Sequence, residues 1–364
     1  MYKILHTEAS MGWGGQEIRI LRESAGMRER GHLVLIAANP GSGLFSRAEK
    51  QGFEMIPVHF RRRGLLRLIP FFKKLIEERT IDVVNTHSSK DSWLVLPAAK
   101  IARNKPLVIR TRHLSTPISR GPLNRFLYNY LPHYILTTGR AIREQMINDN
   151  GFDGDRIVSI PTGVDTSIFN PENVHVDLRK ELSLPHDTPL IGMVSIIRSW
   201  KGHIHFINSI SYVLKKRPDA RFIIAGEGPY RHAVEKAIDE ADAGNYVYLL
   251  GHREDVPAVI SSLDILVHPS YANEGLPQSL LQAMAMQRPV IATDLPPLKE
   301  AVRDTITGLI VPVNDPAAMA AKILFLLENK VEADRMAKNA RSLVEKEYSF
   351  QRMLDNIESL YFSR

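Results

Sequence analysis

The sequence predicts an α/β protein made of two doubly wound domains, and three observations carry that prediction. The candidate strands are continuous apolar runs, as parallel strands covered on both faces require. Helical patterns such as Ile18–Gly31 and His203–Lys215 separate most of them, the strand–helix–strand rhythm of a parallel sheet. Midway, a charged and weakly apolar stretch, Glu172–Lys180, lies between Pro171 and Pro185 and divides the strands into two sets.

The first set comprises Lys3–Thr7, Leu33–Ala38, Asp82–Thr86, Leu107–Thr111, Tyr134–Thr138 and Val158–Pro161. The second comprises Leu190–Val194, Arg221–Ala225, Tyr246–Leu249, Ile265–Val267, Pro289–Ala292 and Gly308–Val311. The expected domains are 1–172 and 173–345, with a closing helix over 346–364 that packs back on the first. With 364 residues, 44% of them hydrophobic, the chain can bury two cores. Ligands of such sheets bind outside the carboxyl ends of the strands, so two facing sheets would hold theirs in the cleft between them.

Composition narrows the chemistry. There is no Cys, hence no disulfide, thiolate metal site or Cys nucleophile, which fits a reducing compartment. Met1–His6 lacks the apolar core of a signal peptide, and no apolar run approaches the ~20 residues of a membrane span. The expectation is a cytoplasmic protein, attached to a membrane only peripherally. Residues 1–172 hold 25 Lys+Arg against 16 Asp+Glu, whereas 173–364 hold 22 against 24. The basic half should face an anionic partner.

Four turns carry chemistry. After the first strand, Ala9-Ser-Met-Gly-Trp-Gly-Gly-Gln-Glu17 enters a helix. Gly14 and Gly15 there either let the backbone approach a ligand or serve tight packing. After Leu190–Val194 come Arg198 and Lys201, which read as a solvated turn or as a diphosphate clamp. Gly226-Glu-Gly228 follows the next strand, with Arg231 where a dinucleotide fingerprint would place its third Gly. That suggests a strand exit near a nucleotide, not a nicotinamide site. In Val267–Met286, Glu274, Gly275 and Leu276 stand at the mouth of a helix with Pro277 near its first position. Free N–H groups and the positive helix end make an anion site there. A carboxylate beside a phosphate pocket makes sense if the phosphate carries a hydroxylated group, as in a nucleotide-sugar.

These turns, with Pro161–Pro171 and Leu250-Gly-His-Arg-Glu-Asp-Val-Pro257, resemble a retaining glycosyltransferase of the GT4 type from Met1 to about Tyr361. The resemblance implies the GT-B fold, two Rossmann-like doubly wound domains facing across a cleft, with no metal and no cofactor besides the nucleotide-sugar substrate. The family's Glu–seven residues–Glu signature falls on Glu274 and on Gln282, whose amide can still bond a ribose. It implies that Glu274 holds donor-sugar hydroxyls. It further implies that Gly14, Gly15, Arg198, Lys201, Gly228, Arg253, Gly275 and Leu276 serve the nucleotide. Aligned on Lys201-Gly202, the family's Arg falls on Ile196; Arg198 can substitute if the strand persists, since i and i+2 share a face.

In Val83-Val-Asn-Thr-His87, the His resembles the one that touches the donor sugar, and Arg112 or His113 at the next strand end could reach the acceptor or the phosphates. Asp153-Gly-Asp155 invites a metal reading but looks like a surface turn. His59–Ile76 mixes Arg61, Arg62, Arg63, Arg67, Lys73 and Lys74 with bulky apolar residues. It reads either as a core-packed helix or as a segment lying on an anionic membrane, and the basic half favours the membrane.

The implied activity is transfer of a sugar from a nucleoside diphosphate to a saccharide or glycolipid acceptor, as in lipopolysaccharide or O-antigen synthesis. The alternatives are a non-catalytic binding protein of this fold, with Gln282 and Ile196 as marks of decay, or a nucleotide-sugar epimerase. No nucleic-acid motif is present.

Overall fold

A computed structural model describes residues 1–60, 67–113, 116–173 and 176–362. The chain divides into two compact units, Met1–Thr162 with Met353–Arg364, and Gly163–Arg352. The division thus falls at Thr162/Gly163 and not at 172/173, and the returning segment starts at Met353 and not at 346. Residues 163–172 stay with the second unit because Val164 pairs with Ser349. A Cβ on Gly163 would come within 2.6 Å of the Phe350 backbone, so only glycine lets these segments meet.

Unit 1 runs β1 (Lys3–Glu8), α1 (Gly15–Glu29), β2 (Leu33–Ala38), α2 (Gly43–Lys50), β3 (Glu54–Pro57), α3 (Leu68–Glu78), β4 (Val83–Thr86), α4 (Ser89–Ile101), β5 (Leu107–Arg112), α5 (Pro122–Asn129), β6 (Tyr134–Thr137), α6 (Arg140–Asn148) and β7 (Ile157–Ser159). Its sheet is wholly parallel, in the order β3-β2-β1-β4-β5-β6-β7. The strand absent from the sequence reading is β3, a four-residue edge strand. Its ends are a charged Glu54 and Pro57, so no apolar run announces it. Leu5, Leu35, Val84, Val108 and Ile135 of the sheet pack with Phe72, Val95 and Met146 of the helices.

Unit 2 runs α7 (Leu178–Glu181), β8 (Leu190–Val194), α8 (His203–Leu214), β9 (Arg221–Ala225), α9 (Arg231–Glu240), β10 (Val247–Gly251), α10 (Val256–Ser262), β11 (Ile265–His268), α11 (Gln278–Ala285), β12 (Val290–Thr293), α12 (Pro296–Lys299), β13 (Leu309–Val311), α13 (Pro316–Glu328) and α14 (Lys330–Glu347). Its parallel sheet has the order β10-β9-β8-β11-β12-β13. Separate apolar clusters cover its two faces. The final helix, α15 (Phe350–Phe362), begins in unit 2 and then buries Met353, Leu354, Ile357, Leu360 and Tyr361 in unit 1.

Each sheet therefore has one point where strand order reverses: β1/β4 in unit 1 and β8/β11 in unit 2. Loops leaving the carboxyl ends of such a pair diverge to opposite faces and leave a crevice for a ligand.

Candidate active site

At the unit 2 switch point the two diverging loops carry Lys201 and Glu274. Gly202 brings them together. It has φ +78°, and a Cβ there would lie 1.9 Å from the Pro269 carbonyl oxygen, so the β8 loop rests directly on the β11 loop. Lys201 Nζ donates to Glu274 Oε1 at 2.7 Å, and Ser270 Oγ donates to the same oxygen at 2.5 Å. His268 Nε2 stands 3.5 Å from it. Glu274 is only 5% exposed. Burial pushes its pKa up, but the Lys201 charge and the His268 bond outweigh burial and hold it at about 2. Burial and the Lys201 charge hold the nearby His203 at about 4. The site is thus a permanent carboxylate with one fixed ammonium partner.

Asn273 at φ +53° then turns the chain, in a left-handed conformation that asparagine tolerates better than most residues. Pro277 is the N-cap, and α11 starts one residue later, at Gln278. The N–H groups of Gly275 and Leu276 have no acceptor among the described residues, although the Leu276 side chain is core. Gln282 sits at the start of the second turn of α11, 9% exposed and without a side-chain partner among the described residues.

Other expected contacts are placed differently. Strand β8 ends at Val194, so the argument that Ile196 and Arg198 share a strand face does not hold. Arg198 is exposed, with its guanidinium 5.2 Å from the Trp200 ring centroid, which leaves its donor edges available. Arg253 makes hydrogen bonds to both Glu181 and Asp255, and its guanidinium is committed to those carboxylates and not to a phosphate. Gly228 serves packing: a Cβ would come 2.2 Å from the Ile197 carbonyl, so the β9 exit lies tight against the β8 loop.

In unit 1, the β1 exit carries Gly14 as N-cap of α1, its N–H donating to Glu17 Oε2 at 2.9 Å. Gly15 has open space around its Cβ position. Glu8, at the end of β1, is buried; burial and the neighbouring Asp91 raise its pKa to about 7. His87, at the β4 exit, is 2% exposed and both ring nitrogens are occupied, by His6 at 2.9 Å and His113 at 3.0 Å. It cannot itself touch a sugar in this arrangement. His113, at the β5 exit, is partly exposed. Burial and neighbouring positive groups lower the pKa of both well below that of free histidine. His6 carried no motif, and nothing in the sequence signalled it apart from a histidine in an apolar strand.

Asp153 accepts from the Asp155 N–H and pairs with Arg156 at 3.5 Å, and so caps a turn. Of the basic segment, residues 61–66 lie outside the described residues. The rest, α3, buries Phe72 and Ile76, and Lys73 and Lys74 pair with Glu77 and Glu78. The core-packed reading holds for that part.

Two units, each a parallel sheet with one switch point, define a double Rossmann-like architecture. Family comparisons agree. The family described as Glycosyl transferases group 1 matches residues 176–343, and Glycosyltransferase Family 4 matches 13–168. The chain is 26% identical, over 79% of its length and 77% of the relative's, to an Escherichia coli UDP-Gal:alpha-D-GlcNAc-diphosphoundecaprenol alpha-1,3-galactosyltransferase. It is 27% identical to the capsular polysaccharide biosynthesis glycosyltransferase CapM of Staphylococcus aureus, over 82% and 80% of the two chains. In fold it is similar to a Rickettsia africae glycosyltransferase (TM-score 0.90, 23% identity, covering 99% and 97%). Anabaena HepE, solved with UDP-glucose, is similar as well (TM-score 0.86, 20% identity, both chains fully covered). The chain belongs to glycosyltransferase family 4, and its fold is that of the GT-B glycosyltransferases.

Among the described residues, no helix is long and apolar enough to cross a membrane.

Proposed function

We propose that this glycosyltransferase is a retaining, metal-independent enzyme that moves a sugar from a nucleoside diphosphate to a saccharide or lipid-linked acceptor of cell-surface glycan synthesis. The observation that carries this reading is the Lys201–Glu274 pair beside the free Gly275 and Leu276 amides. The amides and the Lys201 ammonium neutralise the departing diphosphate, the electrostatic help that is often the largest catalytic term. Glu274, ionised at every working pH, accepts hydrogen bonds from donor-sugar hydroxyls. Arg198 adds positive potential, and Gln282 bonds the ribose through its amide.

The acceptor oxygen attacks the anomeric carbon on the face that the phosphate leaves, and the acceptor's proton passes to a phosphate oxygen. No enzyme nucleophile is needed. The relatives named for lipid-linked and capsular substrates support the acceptor class. Unit 1 docks on an anionic membrane surface. Its excess of cations supports this, as do Leu123, Phe126 and Tyr130, exposed on and just after α5 beside exposed Arg120 and Arg125.

The test is a donor panel (UDP-galactose, UDP-glucose, GDP-mannose) incubated with chelator and a lipid-linked saccharide. NMR of the product should show the donor's anomeric configuration. An inverted product, strict metal dependence, or donor converted with no acceptor present, as an epimerase would do, overturns the proposal.

A further inference from the structure

We infer that Glu23, His6 and His87 are positioning residues: together they fix His113 as its Nε2–H tautomer, so that it presents a bare Nδ1 lone pair to a hydroxyl of a saccharide substrate. The identity of that hydroxyl rests on the function proposed above; the tautomer does not.

The three imidazoles come from adjacent strands of one sheet. His6 lies in β1, His87 directly after β4 and His113 directly after β5. Asp91 fixes the β4 exit, since its carboxylate accepts from the His87 N–H (2.9 Å), the Ser88 N–H (2.8 Å) and Thr7 Oγ1 (2.7 Å). At the β5 exit, Thr138 Oγ1 donates to the His113 carbonyl at 3.1 Å. The rings are therefore held from both sides, with His6 Nδ1 2.9 Å from His87 Nε2, and His87 Nδ1 3.0 Å from His113 Nε2.

Each close nitrogen pair needs one N–H and one lone pair. The tautomer of one ring consequently dictates the next, and only two neutral patterns satisfy both bonds. All three rings carry the proton on Nδ1, or all three carry it on Nε2. The low pKa values of all three histidines, caused first by burial, keep the chain uncharged.

The inner end chooses between the patterns. His6 Nε2 faces Glu23 Oε1 at 3.9 Å, both side chains being fully buried. Among the described residues neither Nε2 nor the Glu23 oxygens have a hydrogen-bond partner. A lone pair aimed at a buried carboxylate is repelled and an N–H is attracted, more strongly than in water because the surroundings polarise less. Arg19 Nε, 3.5 Å from the other Glu23 oxygen, supplies the counter-charge. Glu23 therefore selects Nε2–H throughout.

At the outer end this leaves His113 Nδ1 as an acceptor only, at the carboxyl end of β5. It takes a hydroxyl hydrogen and repels a phosphate oxygen, which resolves the two roles the sequence left open for this residue.

Ring-15N-labelled protein, without substrate, tests the tautomer through long-range 1H–15N correlations, with His113→Asn and His113→Gln assigning the signals. Nε2–H at His6, His87 and His113 is expected; Nδ1–H at any of them overturns the inference. Glu23→Gln removes the charge at constant shape. It should move His113 towards Nδ1–H and lower kcat/KM for donor consumption about tenfold, the value of one neutral hydrogen bond. An unmoved tautomer, or a moved one with unchanged kcat/KM, refutes the positioning role. In His113→Asn the amide oxygen can stand where Nδ1 accepts, whereas in His113→Gln the amide NH2 stands where Nε2–H donates to His87 and no acceptor replaces Nδ1; Asn should retain more activity, and the reverse order is contrary. If Glu23→Gln does not fold, the tautomers of the unaltered protein still decide. If the unaltered protein consumes none of UDP-galactose, UDP-glucose or GDP-mannose, the proposed function fails while the tautomer result stands.

Discussion

Replacing Lys201 with Met should destabilise unit 2 in a pH-dependent way whose sign and size follow from the Glu274 site. The carboxylate is held at about 2 against an ordinary 4.5, which corresponds to about 3 kcal/mol at 1.36 kcal/mol per unit. A depressed carboxylate contributes this stability above pH 4.5 and loses it as pH falls towards 2. Without the ammonium, burial dominates and the Glu274 pKa rises above its ordinary value, so the variant suffers most at neutral pH. For a unit of this size, 3 kcal/mol lowers Tm by about 6–12 °C. Calorimetry from pH 4 to 8 should find that gap at pH 7.5 and see it narrow on acidification. The double variant Lys201→Met with Glu274→Met should recover most of the loss, since apolar replacement of both partners is often neutral. A gap under ~1 °C, or one independent of pH, would refute this electrostatic account of the pair.

Glu274→Ala should abolish sugar transfer while leaving nucleoside diphosphate binding measurable by calorimetry. Gly202→Ala places a Cβ 1.9 Å from the Pro269 carbonyl at φ +78°, and should cost more than 1 kcal/mol in urea unfolding as well as most activity. Glu8 behaves oppositely to Glu274. Its pKa is raised to about 7, so the folded state binds the extra proton and stability falls as pH rises from 4.5 through 7. Glu8→Gln should flatten that slope and raise Tm at pH 8. Leu123→Ser with Phe126→Ser should weaken sedimentation with phosphatidylglycerol vesicles and leave phosphatidylcholine sedimentation unchanged.

The architecture was legible because parallel strands buried on both faces are the most apolar segments of a chain, and thirteen strands appear among the described residues where the runs marked twelve. Strand β3 escaped because an edge strand needs only one partner and tolerates Glu54 and Pro57. The unit boundary escaped because Val164 joins a distant segment, Ser349, through backbone bonds that have no side-chain signature. At the site, Lys201 and Glu274 were visible as charges at strand ends. Their mutual pairing was not, since it depends on Gly202 lying against Pro269. Arg253 and Gly228 looked like ligand groups because a committed guanidinium and a packing glycine read the same in sequence as free ones. Arg19, Glu23 and His6 were invisible: residues on helix α1 and strand β1 become a cluster only when the helix packs on the sheet.

Thermal shift with UDP, GDP and their sugars, in chelator, tests the central claim most directly, comparing the unaltered protein with Lys201→Met. At a hundredfold excess over Kd, a bound donor adds about 2.7 kcal/mol, or about 5–10 °C. The account predicts such a rise for at least one nucleotide-sugar without any metal, and its loss in the variant. No shift with any nucleotide, a shift that needs a divalent cation, or an undiminished shift in Lys201→Met would contradict it.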